Sequence, residues 1–111
     1  MPRKKNLLEM KPRRRENIDW QEDEDGNLTL IIKRNGWIDR IFQKVFKTPK
    51  QTTLELDKVG SFVWLECDGN QDLNQIAKKL KKQYPEEAAP VYDRLVTFIG
   101  ILKNNGLITL K

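Results

Sequence analysis

Residue types that usually carry catalysis are scarce in this chain. Its 111 residues include no histidine and one cysteine, Cys67. A thiol acts as a nucleophile or metal ligand only as the thiolate, which a neighbouring imidazole or further ligands normally stabilise. Without either, the usual Cys–His pairing and most transition-metal sites are excluded, and Cys67 reads as a small core residue. The carboxylates from Glu22 to Asp25 fall in a turn and read as solvated charge, and no glycine-rich phosphate loop is present. The sequence therefore predicts no enzyme, no cofactor and no metal. What remains open to it is binding.

Charge is the next place to look for a partner. The net charge is +5, but it is not spread along the chain. Residues 1 to 15 carry seven Arg and Lys against the single Glu9, a net +6, so residues 16 to 111 sum to −1. A nearly neutral body does not point to nucleic acid, and none is expected as a partner. Residues 1 to 15 read as a basic, mobile or loosely docked arm, and 16 to 111 as one domain. The basic N-terminus lacks the apolar core and cleavage site of a secretory signal, and a lone cysteine makes no internal disulfide. A reducing cytoplasm is the expected compartment.

The elements that would position a binding surface follow from periodicity. Ile18 and Trp20 alternate with polar neighbours, as do Leu28, Leu30 and Ile32, on either side of Asp25-Gly26, which predicts a hairpin. A two-residue turn would put Trp20 and Leu30 on opposite faces. A three-residue loop Glu24-Asp25-Gly26, with Gly26 left-handed, instead sets Trp20 opposite Leu30 and Ile18 opposite Ile32, and this register is preferred. An insertion at 35–50 carries Trp37, Ile38, Ile41, Phe42 and Val45 at helical spacing, a short amphipathic helix. Thr52, Leu54 and Leu56 alternate as a third strand.

Beyond Asp57 the period becomes helical. Val59, Phe62, Val63 and Cys67 share one face, stopped by Asp68-Gly69. Asp72 with Gln75 predicts a capping box for a second helix, whose stripe Leu73, Ile76, Ala77, Leu80 and Tyr84 opposes Lys78, Lys79, Lys81 and Lys82. Pro90 suits the first turn of a third helix with a core stripe Val91, Leu95, Phe98 and Leu102. Asn104-Asn105-Gly106 ends it, and Leu107, Ile108 and Leu110 read as an apolar tail. The expected fold is α+β and winged-helix-like: a three-stranded antiparallel sheet followed by a three-helix bundle, with a short inserted amphipathic helix.

Two surfaces stand out in that arrangement. The third helix has a second apolar row, Tyr92, Val96 and Ile99, ending in Lys103, about 100° from its core stripe. The strand at Thr52 to Leu56 contains no proline to block its backbone groups, so an extended peptide can add there. The competing readings are ordinary core packing for the row and a covered edge for the strand. A DNA-binding winged helix is the alternative function, but the third helix offers only Arg94 and Lys103 against Glu86, Glu87 and Asp93. Self-pairing of the open edge into a homodimer is a further alternative.

The run Leu56-Asp57-Lys58-Val59-Gly60-Ser61-Phe62-Val63-Trp64, followed by Cys67-Asp68-Gly69, resembles the signature of the PqqD-like family. Asp72 to Ala77 and Phe98 to Ile108 resemble its later helices, so the likeness covers about residues 51 to 110. The resemblance implies a RiPP recognition element, which holds the leader of a ribosomal precursor peptide between its third strand and third helix. It also implies delivery to a modifying enzyme, commonly a radical-SAM maturase, which this chain is not, since one cysteine cannot hold an iron–sulfur cluster. Carried over by position, the implied peptide contacts are Thr52, Thr53, Leu54, Glu55 and Leu56, with Tyr92, Leu95, Val96, Ile99 and Lys103. The 35–50 insertion departs from the smallest family members. Its Trp37, Ile41 and Phe42 read first as packing on the same domain, with a partner enzyme as the alternative and membrane contact not expected.

Overall fold

The computed structural model describes residues 6–16, 18–33 and 51–111. Five strands and three α-helices lie in them: β1 (Pro12–Arg14), β2 (Ile18–Glu22), β3 (Leu28–Lys33), β4 (Gln51–Glu55), α1 (Lys58–Glu66), α2 (Leu73–Gln83), α3 (Val91–Asn104) and β5 (Ile108–Leu110). A single 3-10 turn, Leu7–Glu9, precedes β1. The chain divides into two compact units, Glu16–Asp57 and, as the other, Met1–Arg15 with Lys58–Lys111. The inserted helix expected at 35–50, with Trp37, Ile41 and Phe42, lies outside the described residues.

In the first unit an antiparallel sheet of order β2-β3-β4 is built on the hairpin. Trp20 pairs with Leu30 and Ile18 with Ile32, the register expected from a three-residue loop. Gly26 takes φ +83°, a conformation that costs glycine little, and its N–H donates to Asp23 O at 3.1 Å. The Asp23 carboxylate also accepts from the N–H groups of Asp25 and Asn27, each at 2.9 Å. These bonds close the loop on itself. Ile18, Leu28, Leu30 and Leu56 share one face of the sheet and are buried. Trp20 lies on that face too, yet 38% of its surface is exposed.

The second unit is built from the helices and both chain ends. Asp72 caps α2 as its sequence predicts: its carboxylate accepts from Gln75 N–H at 2.8 Å, and Gln75 Oε1 accepts from Asp72 N–H at 2.8 Å. Leu73, Ile76, Ala77 and Leu80 point into the core with Val63, Trp64 and Cys67 of the first helical segment. Pro90 sits one residue before α3, as its N-cap, rather than inside the first turn. At the far end Gly106 N–H donates to Lys103 O at 3.0 Å and Leu107 N–H to Leu102 O at 2.9 Å. These are the two bonds of a Schellman stop, with Gly106 at φ +71°.

Two sequence expectations change here. The apolar tail is a strand, β5, with Leu107 and Ile108 buried. The described part of the basic arm is its partner: Pro12 pairs with Leu110, Arg13 with Thr109 and Arg14 with Ile108. The opposite edge of β1 bonds the loop after α1, through Arg14 N–H to Cys67 O at 3.0 Å and Gly69 N–H to Pro12 O at 2.9 Å. Charge density suggested a solvated arm, but strand geometry separates neighbouring side chains onto opposite faces. Arg13 and Arg15 stay exposed while Arg14 reaches inward. Its Nη1 donates to Trp64 O at 3.0 Å and to Leu65 O at 2.8 Å, closing carbonyls at the end of α1.

Candidate functional site

The first candidate surface is the outer edge of β4. Which of its backbone groups face outward is fixed by a single bond, Leu56 N–H to Leu28 O at 2.8 Å. Leu28 and Leu56 therefore form a hydrogen-bonded pair, and antiparallel ladders alternate bonded with non-bonded pairs. With Leu30 opposite Leu54 and Ile32 opposite Thr52, the groups of Thr52, Leu54 and Leu56 are turned toward β3. Those of Gln51, Thr53 and Glu55 are turned outward. Among the described residues no strand pairs with that edge. Of the five strand residues expected to contact a peptide through their backbone, Thr53 and Glu55 thus have outward-facing donors and acceptors. Both are also exposed, whereas Leu56 is buried.

The second candidate surface, in the other unit, is α3. Leu95, Ile99 and Leu102 are buried, at 1%, 1% and 0% exposure, whereas Val91 and Phe98 are only half-buried. At about 100° per residue the core direction is rotated by about 35–40° from the expected stripe toward the second apolar row. Leu95 and Ile99 are consequently core residues. Of the α3 residues expected at a peptide, Tyr92 (43% exposed) and Lys103 are at the surface and Val96 is half-buried. Ile101 and Leu65 are both about half exposed; by sequence Leu65, with Trp64, widens the apolar face of the first helix, but only Trp64 is buried.

Among the described residues, the two groups moved furthest from their ordinary titration, Cys67 and Asp68, have structural causes. Burial pushes the Cys67 thiol up to about 12, a shift the nearby Arg14 cation only partly opposes. The thiol donates instead to Val63 O at 3.1 Å, one turn back along the chain. A proton held that firmly leaves no thiolate near neutral pH. Asp68 is moved the other way: the Asn70 N–H, donating to its carboxylate at 2.8 Å, holds its carboxyl below the ordinary value. That bond forms a local turn. Among the described residues no group of three or more Cys, Asp or Glu side chains is arranged to hold a metal ion, and no helix is long and apolar enough to cross a membrane.

The family model described as coenzyme PQQ synthesis protein D (PqqD) matches residues 45–108. That span takes in β4, all three helices and the first residue of β5. No curated protein and no solved structure matches the chain significantly.

Proposed function

The chain belongs to the PqqD family, and on that premise we propose that it binds the leader of a ribosomal precursor peptide and presents it to a modifying enzyme, such as a radical-SAM maturase. Family members are non-catalytic accessory proteins associated with peptide binding in PQQ biosynthesis. The observation that carries the reading to a mechanism is the outward phase of Thr53 and Glu55 on an edge strand. A guest strand adding there gains main-chain bonds that tolerate many sequences, and alternate guest side chains then supply selectivity. In the other unit, Tyr92, Val96 and Lys103 are the α3 residues proposed as further peptide contacts, since Leu95 and Ile99 are spent on their own unit's core.

The test is titration of labelled protein with short peptides encoded beside its gene, with a DNA duplex in parallel. Amide shifts are expected at Thr53, Glu55, Tyr92 and Lys103. Thr53→Pro removes an outward N–H without touching the bonds to β3, so it should abolish peptide binding while leaving the far-ultraviolet spectrum intact. Undiminished binding by Thr53→Pro, or shifts produced by the duplex alone, would overturn the strand-addition reading.

A further inference from the structure

The helical unit carries a second surface on the outer side of α1 and α2. An open pocket of about 470 Å³ there is lined by Phe62, Glu66, Lys79, Lys82 and Gln83. Phe62 is half-buried and meets Tyr84 edge-on, with ring centroids 5.8 Å apart and planes at 82°. Its ring is thereby positioned from within the unit while part of it remains open to a guest.

The charges around that ring are unevenly satisfied. Glu66 is occupied: Gln71 Nε2 donates to its Oε2 at 2.6 Å, and Lys79 Nζ lies 3.5 Å from the same oxygen. Lys78, Lys81 and Lys82 are exposed and form no ion pair with a described residue. The core stripe of α2 forces all four lysines onto its outer face. The result is one partly open aromatic ring in an otherwise polar recess, with Lys79 and Glu66 occupied by each other and Lys78, Lys81 and Lys82 left without a carboxylate among the described residues.

We propose that this groove docks an acidic segment of a protein partner, seating an aliphatic or aromatic side chain on Phe62 with carboxylates at Lys82 and at Lys78, one helical turn before it. A concave pocket of this volume suits one anchoring side chain. Nucleic acid fits it poorly, because phosphate recognition gains from a continuous row of cations along a backbone. Here the cations border a recess, and Glu66 lies among its lining residues. The assignment is independent of the β4 edge and holds whether or not a leader adds there.

The experiment uses the full labelled chain and a synthetic glutamate-rich peptide of about twelve residues with one central phenylalanine. Shifts are expected at Phe62, Lys79, Lys82 and Gln83, weakening as salt is raised. The variant Lys78→Glu/Lys82→Glu should keep the parent's far-ultraviolet spectrum and bind at least about fourfold more weakly, since an exposed ion pair contributes about 0.2–1 kcal/mol and reversal counts each of the two pairs twice. Replacing the central phenylalanine by serine should weaken binding by a similar factor. The proposal is overturned if no shifts appear at millimolar peptide, if the double variant binds as tightly as the parent, or if a short DNA duplex produces the same shifts at lower concentration.

Discussion

Arg14 tests how the N-terminal segment is held. Its guanidinium donates to two carbonyls at the end of α1, Trp64 O at 3.0 Å and Leu65 O at 2.8 Å. It also places a cation at the negative end of that helix. A hydrogen bond from a charged group stabilises by about 1.5–3 kcal/mol when buried, but these carbonyls are partly exposed and water can replace the donor, so about 0.5–1 kcal/mol each is appropriate. A cation at a helix C-terminus adds about 0.3–1 kcal/mol. Together these predict a loss of about 1.3–3 kcal/mol for Arg14→Ala. For a domain of this size that is a fall in Tm of about 10 °C. Arg14→Lys keeps the charge but not the planar fork, and should recover about half of the loss. The measurement is thermal unfolding by circular dichroism at neutral pH, with Arg15→Ala as the exposed control. If Arg14→Ala and Arg15→Ala melt within about 2 °C of each other, the helix-closing role assigned to Arg14 is wrong.

Two further outcomes follow from the same region. Burial holds the Cys67 proton to about 12 in the folded chain, against 9.0 for an unburied thiol. Its contribution is therefore complete below pH 9.0 and lost as pH rises toward 12, in total about 4 kcal/mol at 1.36 kcal/mol per unit. Denaturant titrations should show the parent losing more stability than Cys67→Ala between those limits, and equal slopes would refute the buried-thiol account. Gly69 has φ +83° and its added Cβ would meet Arg13 Cδ at 3.2 Å. Gly69→Ala should cost about 1–2 kcal/mol, mostly conformational because the Arg13 side chain can move. An unchanged urea midpoint would show that the turn after α1 does not depend on that conformation.

Much of this fold was legible because local chemistry and periodicity agreed. The Asp72 and Gln75 side chains form the predicted capping box, Gly106 ends α3, and Trp20 faces Leu30. The ends of the chain were less legible. Ile108, Thr109 and Leu110 do alternate, but a three-residue strand gives too short a pattern to separate from a tail. Residues 12–14 form a strand because of a partner nearly a hundred positions away, and their arginines mask that role. On α3 both apolar rows were visible, yet their sequence could not say which direction the core would take. Burial divides the second row, leaving Tyr92 outside and Ile99 within.

The phase of β4 was implicit in the sequence through a chain of constraints. A three-residue loop at Glu24-Asp25-Gly26 makes Asp23 and Asn27 a bonded pair, seen as Asp23 N–H to Asn27 O at 2.8 Å. Alternation then gives Thr29 and Ile31 to β2 and leaves the groups of Leu28, Leu30 and Ile32 for β4. Because Leu54 and Leu56 must share a face with Leu30, they pair with those residues, and Thr53 and Glu55 are left facing outward. A loop at the distant end of the hairpin thus selects which β4 residues can receive a guest strand. Shortening it by one residue would shift the β2–β3 register and turn an apolar set to the other face. The PqqD match begins only at residue 45, after this hairpin, so the segment that sets the phase of the proposed binding edge lies outside the matched region.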